Sequence, residues 1–339
     1  MRLVFAGSPA AAVPSLRALA GSSHDVVAVL TRDDTPQGRK RTLTPTPVAA
    51  AADELGLPVI KTRRITEEVT AAIAATEADL GVIVAYGALL REPLLSTPRL
   101  GWINLHFSLL PRWRGAAPVQ RALIAGDAST GAMVFQLVAE LDAGVVHGTL
   151  LRDLDGDETA GFLLDELSQT GAALLSGVVD SLAAGTSEPM AQTGEVTLAP
   201  KLTLDDGLLD FTQSADVVVN RYRGVTPEPG AFSEIGGVRL KILDLRRADR
   251  VGTSADTFPD LTATGAKPVR TAGAASGQAE PPLAPGRVVL AGRRVLVGTA
   301  TDAVELVAVQ PAGKKLMPAA DWIRGVPDRE SLRFDEVTS

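Results

Sequence analysis

Apolar positions change their rhythm along the chain. Arg2–Ala6 and Val26–Thr31 are short runs rich in branched residues and predict strands, with a helix-like stretch at Ala10–Ala20 between them. Pro47–Leu55 and Glu67–Ala75 read as further helices, and Leu80–Ala85 and Trp102–His106 as buried strands. Pro118–Ala125 reads as a helix opened by proline, where the missing N–H costs nothing. Met133–Leu137 and Val145–Leu151 predict two more strands, and Glu158–Ala184 one long amphipathic helix. Alternation of this kind predicts an α/β fold: a Rossmann-like, mostly parallel sheet covered on both faces.

The pattern shortens after about residue 205. Beyond an amphipathic stretch at Ala215–Arg223 come Gly230–Glu234, Val238–Arg246, Gly286–Leu290, Arg293–Thr299 and Ala303–Gln310. These alternating runs, separated by Gly, Pro and Asp, predict a small OB-like antiparallel β-barrel. The expected organisation is a first domain over 1–190, a linker over 191–205 and a second domain over 206–330. Within Val251–Pro285, 24 of 35 residues are Ala, Gly, Ser, Thr or Pro. That composition cannot offset its ordering entropy by burial, so a flexible insertion is expected there. No internal repeat is visible.

Composition narrows the chemistry. The 339 residues are 45% hydrophobic and 22% charged and contain no Cys, which removes disulfides, thiolate nucleophiles, iron–sulfur clusters and Cys-ligated zinc. Only three histidines (His24, His106, His147) argue against a poly-His metal centre, and no metal is expected. Met1–Ala6 is apolar but is broken by Gly7-Ser8-Pro9, and no stretch reaches the 18 or so apolar residues that would span a membrane. A cytoplasmic monomer is expected. The net charge of -7 argues against an indiscriminate polyanion binder. The acidity is local, however: residues 1–205 hold 16 basic and 23 acidic side chains, and residues 206–330 hold 16 and 15.

Three places could carry chemistry. The first strand-to-helix turn, Phe5-Ala6-Gly7-Ser8-Pro9, lacks the second and third glycines of a dinucleotide fingerprint, which argues against a nicotinamide cofactor. Asn104 and His106 are two apart on a predicted strand and so share a face at its carboxyl end, where open α/β sheets bind ligands. An amide donor beside an imidazole suits acyl transfer, the amide meeting an oxyanion and the imidazole moving a proton. A polar pair satisfied within a strand end fits the spacing equally well. Asp142, after an apolar strand and before Ala143-Gly144, could orient His106 or form a turn. His24 and His147 are expected to be structural.

The run Asn104-x-His106-x-Ser108-Leu109-Leu110-Pro111, with Asp142 following 38 residues after the Asn, resembles the signature of folate-dependent formyltransferases. Phe5–Pro9, Val84-Ala85-Tyr86-Gly87, Pro111–Arg121 and Gln310-Pro311-Ala312-Gly313-Lys314-Lys315 resemble the branch that formylates initiator methionyl-tRNA. The resemblance spans nearly the whole chain. It implies 10-formyltetrahydrofolate as cosubstrate and the tRNA's α-amino group as nucleophile. Asn104 and His106 would polarise the formyl carbonyl, and Asp142 would position His106 and assist proton movement. Ser108, Leu109, Leu110 and Pro111 would line the folate site, with Tyr86 and Gly87 in the pterin pocket (84–89).

The same resemblance assigns a nucleic-acid side. A polar loop over Thr31–Pro45 carries Arg39, Lys40 and Arg41, which would meet the tRNA acceptor end. Lys201, Arg221, Arg223, Lys314 and Lys315 would extend a basic track. Three departures stand out: Thr35 in Asp34-Thr35-Pro36 replaces a basic residue, Glu228 in Pro227-Glu228-Pro229 replaces a Trp, and the 251–285 insertion is long. The competing readings are formylation of a small amine, formyl-folate hydrolysis, a dinucleotide-dependent oxidoreductase and a non-catalytic RNA-binding module. The first lacks a reason for a tRNA-sized surface, and the last leaves Asn104, His106 and Asp142 unexplained.

Overall fold

A computed structural model describes residues 1–38, 41–248 and 283–337, and most of the expected insertion lies outside the described residues. The elements in chain order are β1 (Arg2–Gly7), α1 (Val13–Ala20), β2 (Asp25–Thr31), β3 (Thr35–Gln37), β4 (Thr42–Thr44), α2 (Pro47–Glu54), β5 (Val59–Lys61) and α3 (Glu67–Ala74). There follow β6 (Leu80–Val84), β7 (Trp102–His106), β8 (Arg114–Gly115), α4 (Pro118–Ala125), β9 (Ser129–Gln136), β10 (Val146–Asp153) and α5 (Ala160–Ala184). The remainder are β11 (Leu198–Ala199), α6 (Ala215–Val225), β12 (Ala231–Ile235), β13 (Val238–Arg247), β14 (Val288–Ala291), β15 (Arg294–Val297), β16 (Val304–Pro311), β17 (Met317–Pro318) and α7 (Ala319–Arg324).

Two compact units result. The first comprises Met1–Pro118, Ser129–Asp153 and Leu164–Pro200, and the second Val119–Ala128, Leu154–Leu163 and Lys201–Ser339. Two short segments from the first half of the chain thus pack with the second unit, an exchange that apolar periodicity does not reveal.

The first unit is built on a seven-stranded sheet in the order β10-β9-β7-β6-β1-β2-β5. Its five strands from β7 to β5 are parallel, while β9 runs antiparallel to both β7 and β10. Because β1 is central and the chain builds outward to both sides, the strand order reverses beside it, the crevice where doubly wound folds hold ligands. β1 and β6 bury nearly every side chain, as strands covered on both faces must. Helix starts follow local chemistry: Thr46 Oγ1 accepts the Ala49 N–H (3.0 Å) at α2, which also opens with Pro47. Thr66 caps α3 and Ser214 caps α6 in the same way.

The second unit carries an antiparallel sheet in the order β12-β13-β16-β15-β14, with β17 beside β16. Its core gathers Leu209, Val218, Tyr222, Val288, Val304 and Ile323, and Phe211 stacks on Phe334 with ring centres 4.6 Å apart.

The expected Thr31–Pro45 loop needs correction. It contains the hairpin β3–β4, with Thr35 opposite Thr44 and Gln37 opposite Thr42, too short for its alternation to register. β5, three residues at the sheet edge, was unpredicted for the same reason, as was α7.

One packing contact fixes the middle of the first sheet. Trp102 on β7 is fully buried, its indole Nε1–H donates to the Leu94 carbonyl (2.9 Å), and its ring packs against Gly81 on β6. A Cβ at residue 81 would lie 2.1 Å from the ring atom Cδ2 and 2.2 Å from Cε3. Gly81→Ala should therefore destabilise the protein by about 1–3 kcal/mol through overpacking, measured as a lowered urea midpoint by circular dichroism. An unchanged midpoint would mean the ring is free to move.

Candidate active site

The carboxyl edge of the parallel strands brings three loops together. Ser8, just after β1, donates its hydroxyl to the Tyr86 carbonyl after β6 (3.1 Å). Arg32, just after β2, donates from Nη1 to the Gly87 carbonyl (3.0 Å). Ala85 (φ 47°) and Gly87 (φ 83°) both take left-handed backbone, so the loop turns sharply above the sheet. The third loop follows β7.

Asn104 and His106 lie on one face of β7, Asn104 paired with Ile83 of β6 and Phe135 of β9. The Asn104 side chain is half-buried and makes no hydrogen bond to any described residue, leaving its amide available. His106 is 6% exposed and packs edge-on to the Phe135 ring. Its Nε2 lies 2.9 Å from the Trp113 carbonyl. A carbonyl only accepts, so Nε2 carries the proton and the neutral ring keeps its lone pair on Nδ1. Nδ1 faces Asp142 Oδ2 at 3.9 Å, too far for a hydrogen bond but close enough for attraction once the ring is protonated. Burial pushes the His106 pKa below its ordinary value; the Asp142 charge and the Trp113 carbonyl oppose this without reversing it. The resting ring is thus neutral.

Asp142 is 8% exposed, in left-handed backbone (φ 46°), and its Oδ2 accepts the Gly115 N–H at 2.8 Å. Periodicity and loop position therefore located three residues that the fold brings together. It did not locate Gln192, whose Nε2 donates to the carbonyls of Asp142 (2.7 Å) and Gly144 (2.9 Å), nor Thr197, whose Oγ1 accepts the Trp113 N–H (2.9 Å). Neither lies in a recognisable motif, and both are far in sequence from what they hold.

Ser108, Leu110 and Pro111 are buried and only Leu109 is half-buried. The Ser108 hydroxyl donates to the Arg112 carbonyl (2.7 Å), and Leu110 packs with Phe135 and Val146. The Ser108 and Leu110 side chains also build the turn itself. Tyr86 is also interior, 1% exposed, with no hydrogen-bond partner for its hydroxyl; burial raises its pKa, and Arg32 lowers it less. Gly87 is exposed.

On the expected nucleic-acid side, Arg39 and Lys40 lie outside the described residues, while Arg41 is exposed at the hairpin tip. Lys201, Lys314 and Lys315 are exposed, the last two in the turn after β16, where Gln310 Nε2 donates to the Lys314 carbonyl (3.0 Å). Arg221 is half-buried and donates to the Asp206 carbonyl (3.2 Å). Arg223 does not belong to an exposed basic track. It is 5% exposed and donates to the Glu158 carbonyl (2.9 Å), to the Glu158 carboxylate (3.4 Å) and to Asn220 Oδ1 (3.1 Å). Burial alone would raise the Glu158 pKa, but the N–H groups of Asp155 and Gly156 together with Arg223 hold it below the ordinary value. This pair is interior to the second unit. Glu228 is exposed between two prolines.

His24 bridges the N-terminal amine (3.2 Å) and Asp180 (2.9 Å), and His147 contacts Ser187 (2.8 Å). Among the described residues, no cluster of three His, Asp or Glu side chains is placed to hold a metal ion.

The carboxyl edge of the sheet thus brings an amide, a neutral imidazole and a carboxylate together, groups suited to acyl transfer, and the chain belongs to the formyl transferase family. Residues 1–179 match the formyl transferase domain, and residues 201–327 match the formyl transferase C-terminal domain. The chain is 55% identical over 325 residues to the methionyl-tRNA formyltransferase of Leifsonia xyli subsp. xyli (96% of this chain, 97% of that one). It is 53% identical over 332 residues to the methionyl-tRNA formyltransferase of Clavibacter sepedonicus (98% and 99%). The N-formyltransferase of Helicobacter canadensis, solved with folinic acid and dTDP-3-aminofucose, shares the fold: TM-score 0.64, 14% identity, 91% of this chain and 98% of that one.

A buried neutral imidazole leaves a trace in stability. The unfolded chain protonates His106 near the ordinary value of about 6.5, whereas the folded chain resists protonation to lower pH. Stability from this residue is complete above that value and is lost as pH falls below it. In urea titrations between pH 5 and 7.5, the wild type should lose stability more steeply on acidification than His106→Gln. Parallel curves would contradict a neutral buried ring.

Proposed function

We propose that this chain transfers the formyl group of 10-formyltetrahydrofolate to the α-amino group of methionyl initiator tRNA. One observation carries the choice of acceptor: likeness to methionyl-tRNA formyltransferases runs through both halves of the chain at 53–55% identity. A likeness confined to the first half would leave a small amine equally eligible.

The chemistry follows from groups already in place. The fit to a formyl-folate rests on the half-buried Asn104 amide, on a strand next to the one that ends in the exposed, left-handed Gly87 turn, so that the formyl end would lie on Asn104 and the pterin against the Ala85–Gly87 backbone. The substrate amine supplies the nucleophile; a free α-amine has a pKa of about 7.7–8.0, so much of it is unprotonated near neutrality. As its nitrogen bonds to the formyl carbon, the carbonyl electrons move to oxygen, and the Asn104 N–H donates to that oxyanion. The amine's surplus proton passes to His106 Nδ1, and the Asp142 carboxylate stabilises the imidazolium so formed. Collapse of the tetrahedral centre breaks the bond to the folate N10, which takes the proton back from His106. An enzyme nucleophile is unnecessary, which suits a chain without Cys.

On this reading Arg39, Lys40 and Arg41 meet the acceptor end of the tRNA, with Lys201, Lys314 and Lys315 contributing charge from the second unit. The substrate places the enzyme in the cytoplasm, and it acts as a monomer. No helix among the described residues is long and apolar enough to cross a membrane.

With 10-formyltetrahydrofolate, the purified protein should formylate charged initiator tRNA much faster than charged elongator methionyl-tRNA, read by acid-gel separation of the products. Equal rates, or activity on a free amine alone, would overturn the acceptor. In the same assay Asn104→Ala should lower turnover by roughly 10²–10³, the loss expected for one oxyanion donor. Undiminished turnover would remove Asn104 from the mechanism.

A further inference from the structure

His106 rests on two supports, and both sit in backbone that resists them. Trp113, whose carbonyl accepts the Nε2–H, has φ 63°, and Asp142, which faces Nδ1, has φ 46°. Neither is glycine, so left-handed backbone at each persists only where its surroundings hold it.

What holds both is one segment, residues 190–200, at the end of the first unit. Met190 exchanges two backbone hydrogen bonds with Val146 (2.7 and 2.9 Å). Gln192 then commits its whole amide: Nε2 donates to the Asp142 and Gly144 carbonyls, and Oε1 accepts from Arg114 Nη2 (2.8 Å). Thr197 Oγ1 accepts the Trp113 N–H and its carbonyl accepts the Arg114 N–H (2.9 Å). Ala199, in β11, pairs with Gly115 of β8. That pairing fixes the Gly115 N–H on the Asp142 carboxylate, in backbone (φ 126°) where a Cβ would lie 2.8 Å from the Ala199 carbonyl oxygen.

We propose that Gln192 and Thr197 are positioning residues for His106, one for each support. Thr197 sets the Trp113 peptide and so decides which ring nitrogen carries the proton. Gln192 sets the Asp142 peptide and so decides where the carboxylate meets Nδ1. The segment works as a strap across the two loops that flank the imidazole. Its role in turnover rests on the proposed formyl transfer, but its role in fixing the ring does not.

Two measurements separate these claims. Long-range ¹H–¹⁵N correlation spectra of the full chain, which has only three histidines, report the tautomer of each ring. The wild type should show His106 as the Nε2–H tautomer. Gln192→Glu keeps an acceptor for Arg114 while removing both donors, and Thr197→Val removes the acceptor for Trp113. In both, the His106 signals should move to a mixed tautomer while those of His24 and His147 stay put, and Thr197→Ser should restore the wild-type pattern. In the formylation assay the first two variants should lose about 10–100-fold in kcat, the usual effect of an outer hydrogen-bond partner, with KM for both substrates unchanged. Unaltered His106 signals in variants with wild-type circular dichroism would overturn the strap, as would Thr197→Ser behaving like Thr197→Val. A wild type without formyl transfer would strike the proposed reaction and leave the ring spectra to judge the strap alone.

Discussion

The proton that His106 Nε2 gives to the Trp113 carbonyl governs the rest of the site. Once it is committed there, the ring has no donor left for a substrate carbonyl, and the only remaining function of the neutral imidazole is to accept at Nδ1. In the proposed transfer, electrophilic assistance then comes from elsewhere on the same face, from the Asn104 amide. Asp142 acquires its meaning from the same fact, since a carboxylate 3.9 Å from a lone pair does little until that nitrogen takes a proton. Acceptance of the proton turns a weak contact into an ion pair in a buried setting, where attraction is least screened.

Holding that arrangement requires a scaffold that does not relax. The parallel strands provide it by placing β1, β6 and β7 side by side with their carboxyl ends level, so that short loops suffice to reach one point. Ser8 and Arg32 tie these loops to each other rather than to solvent. The left-handed residues Trp113 and Asp142 carry a conformational cost that the neighbouring hydrogen bonds offset. Such strain is affordable in a site already fixed on a rigid edge, and it removes reorganisation from the reaction itself.

How much of this could be read beforehand depended on range in sequence. Asn104 and His106 were visible because strand geometry puts residues two apart on one face, and Asp142 because a strand end followed by Gly is a loop. Apart from the three-residue edge strand β5, the strands of the sheet were visible from their period. What holds Asp142 and Trp113 was not: Gln192 and Thr197 act across 50 and 84 residues, and a polar linker shows no pattern when its partners are backbone atoms. Arg223 was misread through its charge alone. Its neighbours carried the correction, since Val219 lies four residues before it and Val218, Tyr222 and Val225 complete the same buried stripe of α6. A cation inside an apolar stripe calls for a buried acid, and Glu158 supplies it.

Moving Arg223 into the interior also changes the electrostatics of tRNA recognition. With a net charge of -7, the whole-molecule field repels a polyanion at long range, so affinity must come from contacts made within a Debye length, about 8 Å at physiological salt. The acids at the root of the hairpin weaken that repulsion: Asp33 pairs with Arg63 and Asp34 with Lys61, leaving Arg41 exposed at the tip. Lys201, Lys314 and Lys315 lie in a different unit, and no one of these groups supplies much affinity alone. If both basic surfaces meet the same RNA, as proposed, each raises the other's effective concentration on it. A short oligonucleotide or a free nucleotide meets only one of them and the repulsive field. On the proposed reading, selectivity for a tRNA-sized acceptor arises without a strongly basic protein, and the acidity of the first unit adds to it by discouraging partial matches.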